Sequence, residues 1–517
     1  MNHSRHRSVQ LGLLAKDLVV LKCHGRATRS RSLILQKVVD RLGLMHGLPQ
    51  KIGQLLAFSE LESSDAAFTQ LTENKPSLSP DEALAAIQEQ IGLPLLNCFR
   101  SIEPVGIGAS IGQVHRARLL DARSVAVKVQ YPDIAEHIAW DLQALGWLAA
   151  PIGDMSRGFD LAAYRREIGS MLECELDYAR EAAMIRRFRE WTADWQGLQI
   201  PEVVESFSGP RCLTTTWVEG CSVRETRDWS IADRSAVAST ILRLFLKGLF
   251  EWGLLHADPN PGNYRFLGPS AQHGPMFGLL DFGCVKAIPP NFSRALGGMF
   301  HEAIQGSLCE AGVWNSFLSM GFNSGALQPV RSKLVPLASA LCAPFLEQRP
   351  TRAADWPIAQ SLSTILGEHR MMFRAAGPAS LLFVLRAFQG VLQHLRHLDA
   401  PIPWRDLFVE CALPGSQQTP PEVQLSAAPV DKPLSDMKAD FLHIRVSEAS
   451  AIKVALTFDV SATDHLDQLV PAELRDGLRG KSIDLVEIAQ RSRIRGHQPG
   501  ELFSWDEGAK AVRVWLA

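Results

Sequence analysis

The 517-residue chain has almost no excess charge of either sign: 53 Lys and Arg stand against 55 Asp and Glu, a formal net charge of −2. That balance gives no electrostatic argument for a nucleic-acid partner. The chain also lacks any CxxC pair, and its nine cysteines, an odd number, are spread from Cys23 to Cys411. Both facts argue against a disulfide framework or a zinc site, and for reduced thiols in a cytoplasmic setting. No apolar core precedes a small-residue cleavage site at the start of the chain, so a signal peptide is not expected. No apolar run reaches 18 residues. The best two, 241–255 and 376–392, are interrupted by Arg243, Lys247 and Glu251, and by Arg386. They read as buried helices, and no membrane-spanning helix is expected. Internal repeats are absent as well.

The length exceeds what one core normally uses. Residues 1–100 read as a helical N-terminal extension. Leu11, Leu13, Leu14, Leu18 and Leu21 lie near one helical face, as do Leu33, Ile34, Val38 and Leu42. Residues 1–50 carry nine Lys or Arg against only Asp17 and Asp40. Two readings stay open: a peripheral contact with anionic lipid, or a solvated face of helices packed on the next domain. Beyond Ile102, Val125, Val127 and Val129 alternate with Ala126, Lys128 and Gln130, the pattern of a half-buried strand. Helical stretches follow near 134–150, 160–191 and 232–252. Residues 414–439, opening on Pro-Gly-Ser and Pro-Pro, read as a linker. Residues 440–517 read as a small α+β domain of unassigned role. Strands are expected at 441–446, 452–460 and 511–516, and helices at 461–478 and 483–492.

Five motifs occur in one order. Ile107-Gly-Ala-Ser-Ile-Gly-Gln-Val114 is a turn of small residues, which lets backbone amides approach phosphates. Gly108, Ala109, Ser110 and Gly112 are its nucleotide-binding candidates. Val125-Ala-Val-Lys128 resembles the strand of protein kinases whose Lys holds the α and β phosphates. Glu181, on a helix expected through 173–183, can pair with that Lys. His256-Ala-Asp-Pro-Asn-Pro-Gly-Asn263 keeps the spacing of a kinase catalytic loop, and its prolines exclude a regular helix. Asp258 would orient or deprotonate a hydroxyl or a water. Leu279-Leu-Asp-Phe-Gly283 puts Asp281 eighteen residues after Asn263. Hard oxygen ligands at Asn263 and Asp281 suit magnesium rather than zinc. The catalytic-loop spacing is a strong signal by itself and the other motifs are weak alone, and the ordered set points to ATP with Mg2+ in a two-lobed protein-kinase-like α+β fold, with an N-lobe over 101–220 and a C-lobe over 221–413.

Three further features resemble the UbiB/AarF family of atypical kinase-like ATPases. Ser110-Ile-Gly-Gln-Val-His115 is similar to the tail of that family's Ala-rich loop. Lys51-Ile-Gly-Gln54 looks like its KxGQ signature, and Glu175-Leu-Asp177 looks like its ExD motif. The resemblance covers about residues 30–400. It implies that the Lys51 helix folds over the cleft, that Lys51 pairs with Glu175 and Asp177, and that Gln54 lies near the phosphates. It also implies a role in quinone or other isoprenoid-lipid metabolism, with a lipid or quinone-precursor ligand, at most peripherally on the inner membrane face. Asn260 departs from the pattern, standing where the family has His and protein kinases have Lys. No Ala-Pro-Glu follows Asp281, so nothing in the sequence marks a peptide-docking segment. Two other classes remain open: a small-molecule hydroxyl kinase of aminoglycoside or choline kinase type, and a nucleotide-dependent scaffold with little turnover.

Overall fold

The computed structural model describes most of residues 78–138, 161–412 and 441–516. Residues 1–77, 110, 139–160, 413–440 and 467–483, with a few short stretches elsewhere, lie outside the described set. The expectations for the basic helices, Lys51, Gln54, Ser110 and the linker fall there. The chain divides into two compact units, the larger holding the described residues of 78–135 and 158–412, the smaller those of 441–516.

The larger unit opens with helix α1 (Pro80–Ile91). Ser79 and Glu82 form a capping box, Pro80 starts the first turn, and Gly92 ends the helix in the left-handed region at φ 73°. Ala83 and Ile87, four residues apart, are buried. Strands β1 (Phe99–Ile102), β2 (Ile107–Gly108), β3 (Gly112–Leu119) and β4 (Ser124–Gln130) follow. Then come α2 (Leu161–Leu176), α3 (Tyr178–Trp191), β5 (Leu198–Gln199) and β6 (Cys212–Thr216). An antiparallel sheet runs in the order β1-β3-β4-β6, with β2 paired to β3. Val125, Val127 and Val129 of β4 are buried, joining Ile87, Phe99 and Leu119 in one core. The alternation therefore turns Lys128 to the opposite face, toward the cleft.

The C-lobe begins with α4 (Ile231–Lys247), capped by Ser230. It runs into a π-turn over Gly248–Trp252, and Gly253 in the left-handed region turns the chain into β7 (Leu254–His256). Strands β8 (Tyr264–Leu267), β9 (Met276–Leu279) and β10 (Val285–Ala287) bracket the catalytic-loop and DFG segments. Helices α5 (Pro290–Ile304), α6 (Glu310–Ser319), α7 (Leu334–Leu346), α8 (Ile358–Leu366), α9 (Arg370–Ala376), α10 (Leu381–Leu398) and α11 (Trp404–Cys411) complete the lobe. Of the two interrupted apolar runs, 376–392 falls largely in α10, whereas 241–255 leaves α4 at Lys247 and continues through the π-turn into β7; most apolar side chains of both are buried or half-buried. No helix among the described residues is long and apolar enough to cross a membrane. The result is a two-lobed kinase-like fold of the α+β class.

The smaller unit is an antiparallel sheet of β11 (Phe441–Glu448), β12 (Ala451–Asp459), β13 (Gly500–Glu507) and β14 (Lys510–Leu516), ordered β12-β11-β14-β13, with helix α12 (Leu485–Ile494). Strand β13 goes beyond the three strands expected. It pairs antiparallel with β14, from Gly500 opposite Leu516 to Glu507 opposite Lys510. Where a helix was expected from 461, a 3-10 segment spans Val460–His465.

Candidate functional site: a nucleotide cleft between the lobes

One helix expected through 173–183 is in fact two. Helix α2 stops at Leu176 and α3 starts at Tyr178. Asp177 sits between them at φ −94°, ψ 87°, and its carboxylate accepts the Arg180 N–H at 2.9 Å. A short acidic side chain that caps the following turn competes with helix continuation, which explains the break. The ExD motif therefore straddles a bend. Glu175 is buried and lines the cleft, whereas Asp177 is exposed and does not. In the described structure Asp177 caps α3, and its expected pairing with Lys51 involves a residue outside the described set.

Helix α3 then aims two residues at the DFG segment. Glu181 accepts from Lys128 Nζ at 3.1 and 3.0 Å through its two oxygens, and from the Phe282 N–H at 3.3 Å. Arg180 donates to the carbonyls of Gly283 (3.4 Å) and Val285 (2.6 Å). Phe282 itself is fully buried, its ring 5.2 Å from that of Phe188 and 5.7 Å from that of His256. Lys128 Nζ also donates to Asp281 Oδ2 at 3.0 Å and lies 5.1 Å above the Tyr178 ring. One ammonium is therefore shared by two carboxylates.

The electrostatics follow from that sharing. Burial pulls the Lys128 ammonium down, but Asp281 and Glu181 outweigh it and hold it well above the usual lysine range. Glu181 is pushed up to about 7, by burial first and by Asp281, against the pull of Lys128. Burial pushes Asp281 up as well, but Lys128 and the Gly283 N–H at 2.9 Å prevail, and its carboxyl stays below the ordinary range. Because the folded state raises Glu181, it holds that proton more tightly than the unfolded chain does. Stability from this group is greatest below about pH 4.5 and is lost as pH rises through about 7. Urea unfolding of the ligand-free protein should lose midpoint over that window, and Glu181→Gln should flatten the loss. Equal slopes for the two proteins would show Glu181 ionised throughout.

The catalytic loop is tied from both sides. The Asn263 amide nitrogen donates to the Asp258 carbonyl at 3.0 Å, which leaves Oδ1 as the side-chain atom that could accept a ligand. The Leu280 N–H donates to the Asn263 carbonyl at 2.9 Å. His256 Nε2 lies 2.7 Å from the Asp281 carbonyl, and a carbonyl only accepts, so that nitrogen carries the proton. Burial holds the imidazole below its ordinary range, hence neutral. The Asp258 carboxylate meets Arg386 Nη2 of α10 at 2.6 Å, with side chains 9% and 2% exposed. Asn260 spends its side-chain oxygen on the Gly262 N–H at 3.0 Å, so it shapes the loop.

These groups face a cavity of about 270 Å3. Val114, Ala126, Leu213 and Leu280 supply apolar walls, and Lys128, Asp258, Asn263 and Asp281 line its polar part. Gly108 and Ala109 border it from the phosphate-loop side, although the Ala109 N–H is already given to the Gly112 carbonyl at 2.7 Å. Gly112, expected at the nucleotide, is not among the residues that line the cleft. A Cβ there would stand 2.1 Å from the Val129 carbonyl oxygen, so close strand packing of β3 on β4 demands the glycine. Beneath the loop, a Cβ on Gly106 would stand 2.8 Å from His115 Nε2. His115 is buried between Gln113 and the Glu103 carbonyl, so it braces the loop from below.

A metal fits this donor set. Asp281 and Asn263 offer hard oxygens, and among the described residues no group of three or more His, Cys, Asp or Glu is placed to hold an ion. Magnesium commonly takes just one or two protein oxygens together with phosphates and water.

Sequence reasoning missed Arg386, Arg180 and the proton on His256. A signal for Arg386 existed: a charge inside a buried apolar run must have a partner. The other two are backbone contacts between segments distant in sequence, and no residue pattern announces them.

Comparison with known proteins agrees with this geometry. Residues 70–309 match the family model described as the ABC1 atypical kinase-like domain. The chain is 29% identical over 386 residues to the atypical kinase coq-8, mitochondrial, of Caenorhabditis elegans, covering 72% of this chain and 50% of that protein. It is 27% identical to the atypical kinase COQ8B, mitochondrial, of Rattus norvegicus, covering 72% of this chain and 71% of that one. The chain thus spans about half the length of the worm relative. Among solved structures, Rv3197 of Mycobacterium tuberculosis, determined with erythromycin, superposes with a TM-score of 0.52 at 23% identity, covering 80% of this chain and 99% of that one. At that identity the likeness speaks for the fold. Residues 70–309 of the chain thus carry an ABC1 atypical kinase-like domain.

Proposed function

We propose that the chain is a magnesium-dependent, ATP-binding atypical kinase or ATPase of UbiB type, acting in quinone or other isoprenoid-lipid metabolism. One observation carries the reading: Lys128 stands 3.0 Å from both Glu181 and Asp281, inside a cleft that also holds Asp258 and Asn263. Lys128 binds the α and β phosphates and Glu181 fixes its ammonium. Asn263 Oδ1 and Asp281 hold magnesium, which when bound neutralises charge on the phosphates. Asp258 orients the attacking hydroxyl or water, and Arg386 holds Asp258. Glu175 shapes the cleft, and the Lys51–Gln54 segment restricts it. The basic residues of 1–50 bring the protein to anionic lipid as a peripheral partner.

The arrangement favours small acceptors or water over peptides, because no Ala-Pro-Glu anchor follows Asp281. Purified protein should hydrolyse ATP in magnesium, faster on anionic liposomes than on neutral ones. It should transfer little radiolabelled phosphate to casein or myelin basic protein. Robust casein labelling that disappears in Asp258→Asn would overturn the small-acceptor reading. Failure to bind ATP in magnesium at all would overturn the nucleotide reading.

A further inference from the structure

The C-lobe holds a second cavity that shares no lining residue with the nucleotide cleft. Its volume is about 150 Å3. Phe245, Leu249, Phe292, Met299, Phe317 and Phe345 are typical of its wall, and among the described residues every lining side chain is apolar or aromatic. The one side-chain hydrogen-bonding group among them, the indole N–H of Trp356, already donates to the Ala340 carbonyl at 3.0 Å. The cavity therefore offers nothing to a polar ligand and penalises one that brings an unpaired donor.

Interiors seldom leave voids larger than a water molecule, and an apolar void of this size stays dry and takes up small hydrocarbons. The wall is also uneven. Toward α4, α5 and α7, Leu249, Phe292, Met299 and Leu337 are fully buried, and Leu296 and Leu341 are half-buried. Toward α8, α9 and α10, Leu362, Phe373 and Leu381 are only half-buried, and Leu385 is 37% exposed. Apolar side chains that line a void on one side and meet water on the other mark its entrance. That entrance is bounded by short elements, nine residues in α8 and seven in α9, joined through Gly367 at φ +52°.

We propose that this cavity binds an uncharged hydrocarbon segment of about five or six carbons, entering beside α9 and α10. A branched isoprenyl unit and the end of a straight acyl chain share that chemistry. The site does not depend on the nucleotide reading, since it stands on separate residues. Helix α10 touches both places: Leu381, Val384, Leu385 and Phe388 face the cavity, and Arg386 reaches Asp258. An occupant therefore packs against the helix that anchors the aspartate.

Two water-soluble probes, each able to leave its hydroxyl in water at the entrance while its carbons fill the cavity, test it on the full chain: 3-methyl-2-buten-1-ol as the branched form and 1-hexanol as the straight one, with ethanol as control. Either probe should bind saturably at one site by calorimetry and raise the thermal midpoint, while ethanol does neither. The tighter probe identifies the source as isoprenoid or acyl. Leu362→Trp and Leu296→Phe enlarge two half-buried lining residues on different walls, and each should weaken probe binding at least ~10-fold with its own unfolding midpoint kept or raised. Xenon gives a measurement that needs no variant: its 129Xe chemical shift should report a protein-bound site from which the probes displace it. The proposal fails if neither probe saturates and xenon finds no site. It fails equally if both folded, filled variants bind the probes as the unmodified protein does.

Discussion

Arg386→Ala should lower the stability of the kinase-like unit by about 3–5 kcal/mol, read as a large fall in the urea midpoint. The cost does not come chiefly from a lost attraction. Arg386 and Asp258 are nearly sealed from water, with a 2.6 Å contact between them. Deleting the guanidinium leaves a buried carboxylate without its principal cation, and α10 also loses a long stem from its packed face. The double change Arg386→Met with Asp258→Asn removes both charges at similar volume and should recover much of the loss, because the two energies are not additive. A single variant as stable as the unmodified protein would mean that water reaches Asp258 readily. Arg386→Lys separates stability from chemistry. It keeps a charge but not the planar fork, so turnover should fall further than the midpoint does.

Asp281→Asn should weaken ATP or ADP binding in magnesium at least ~10-fold, the equivalent of losing one charge-assisted contact. Three groups depend on Asp281 besides any metal: Lys128 Nζ on Oδ2, the Gly283 N–H on Oδ1, and His256 on the backbone carbonyl. An amide preserves the shape and the last two contacts, so the effect should concentrate in the metal-dependent part of the affinity. Titration of a fluorescent nucleotide shows this most directly. With EDTA the two proteins should bind alike, and with magnesium they should separate. Equal affinities in magnesium would remove Asp281 from the site.

How much of this was legible in the residues themselves varies with distance along the chain. The strand of Lys128 was readable because the alternation of Val125, Val127 and Val129 fixes which face is buried. The catalytic loop and DFG segment were readable because spacing within each is short and rigid. The break at Asp177 was hidden by good helix formers on both sides, and only the capping bond to Arg180 decides it. Strand β13 carries Glu501, Phe503 and Trp505 in partial alternation, but it stays ambiguous until β14 lies beside it. Gly112 was assigned to phosphate because small residues suit both an anion and a close backbone, and sequence does not distinguish the two uses. The Arg386 contact joins positions 128 residues apart, and no local pattern reaches that far.

The close approach at Gly112 also limits which sequences can encode this cleft. With the Val129 oxygen 2.1 Å from where a Cβ would be, every other residue type, alanine included, forces β3 and β4 apart. Lys128 is one residue away on β4, so the same displacement carries its ammonium off Glu181 and Asp281. A mutational library spanning the phosphate loop would therefore lose activity at Gly112 for all nineteen alternatives, including those that leave every polar group of the cleft untouched. At this position the active geometry is inherited as an empty volume.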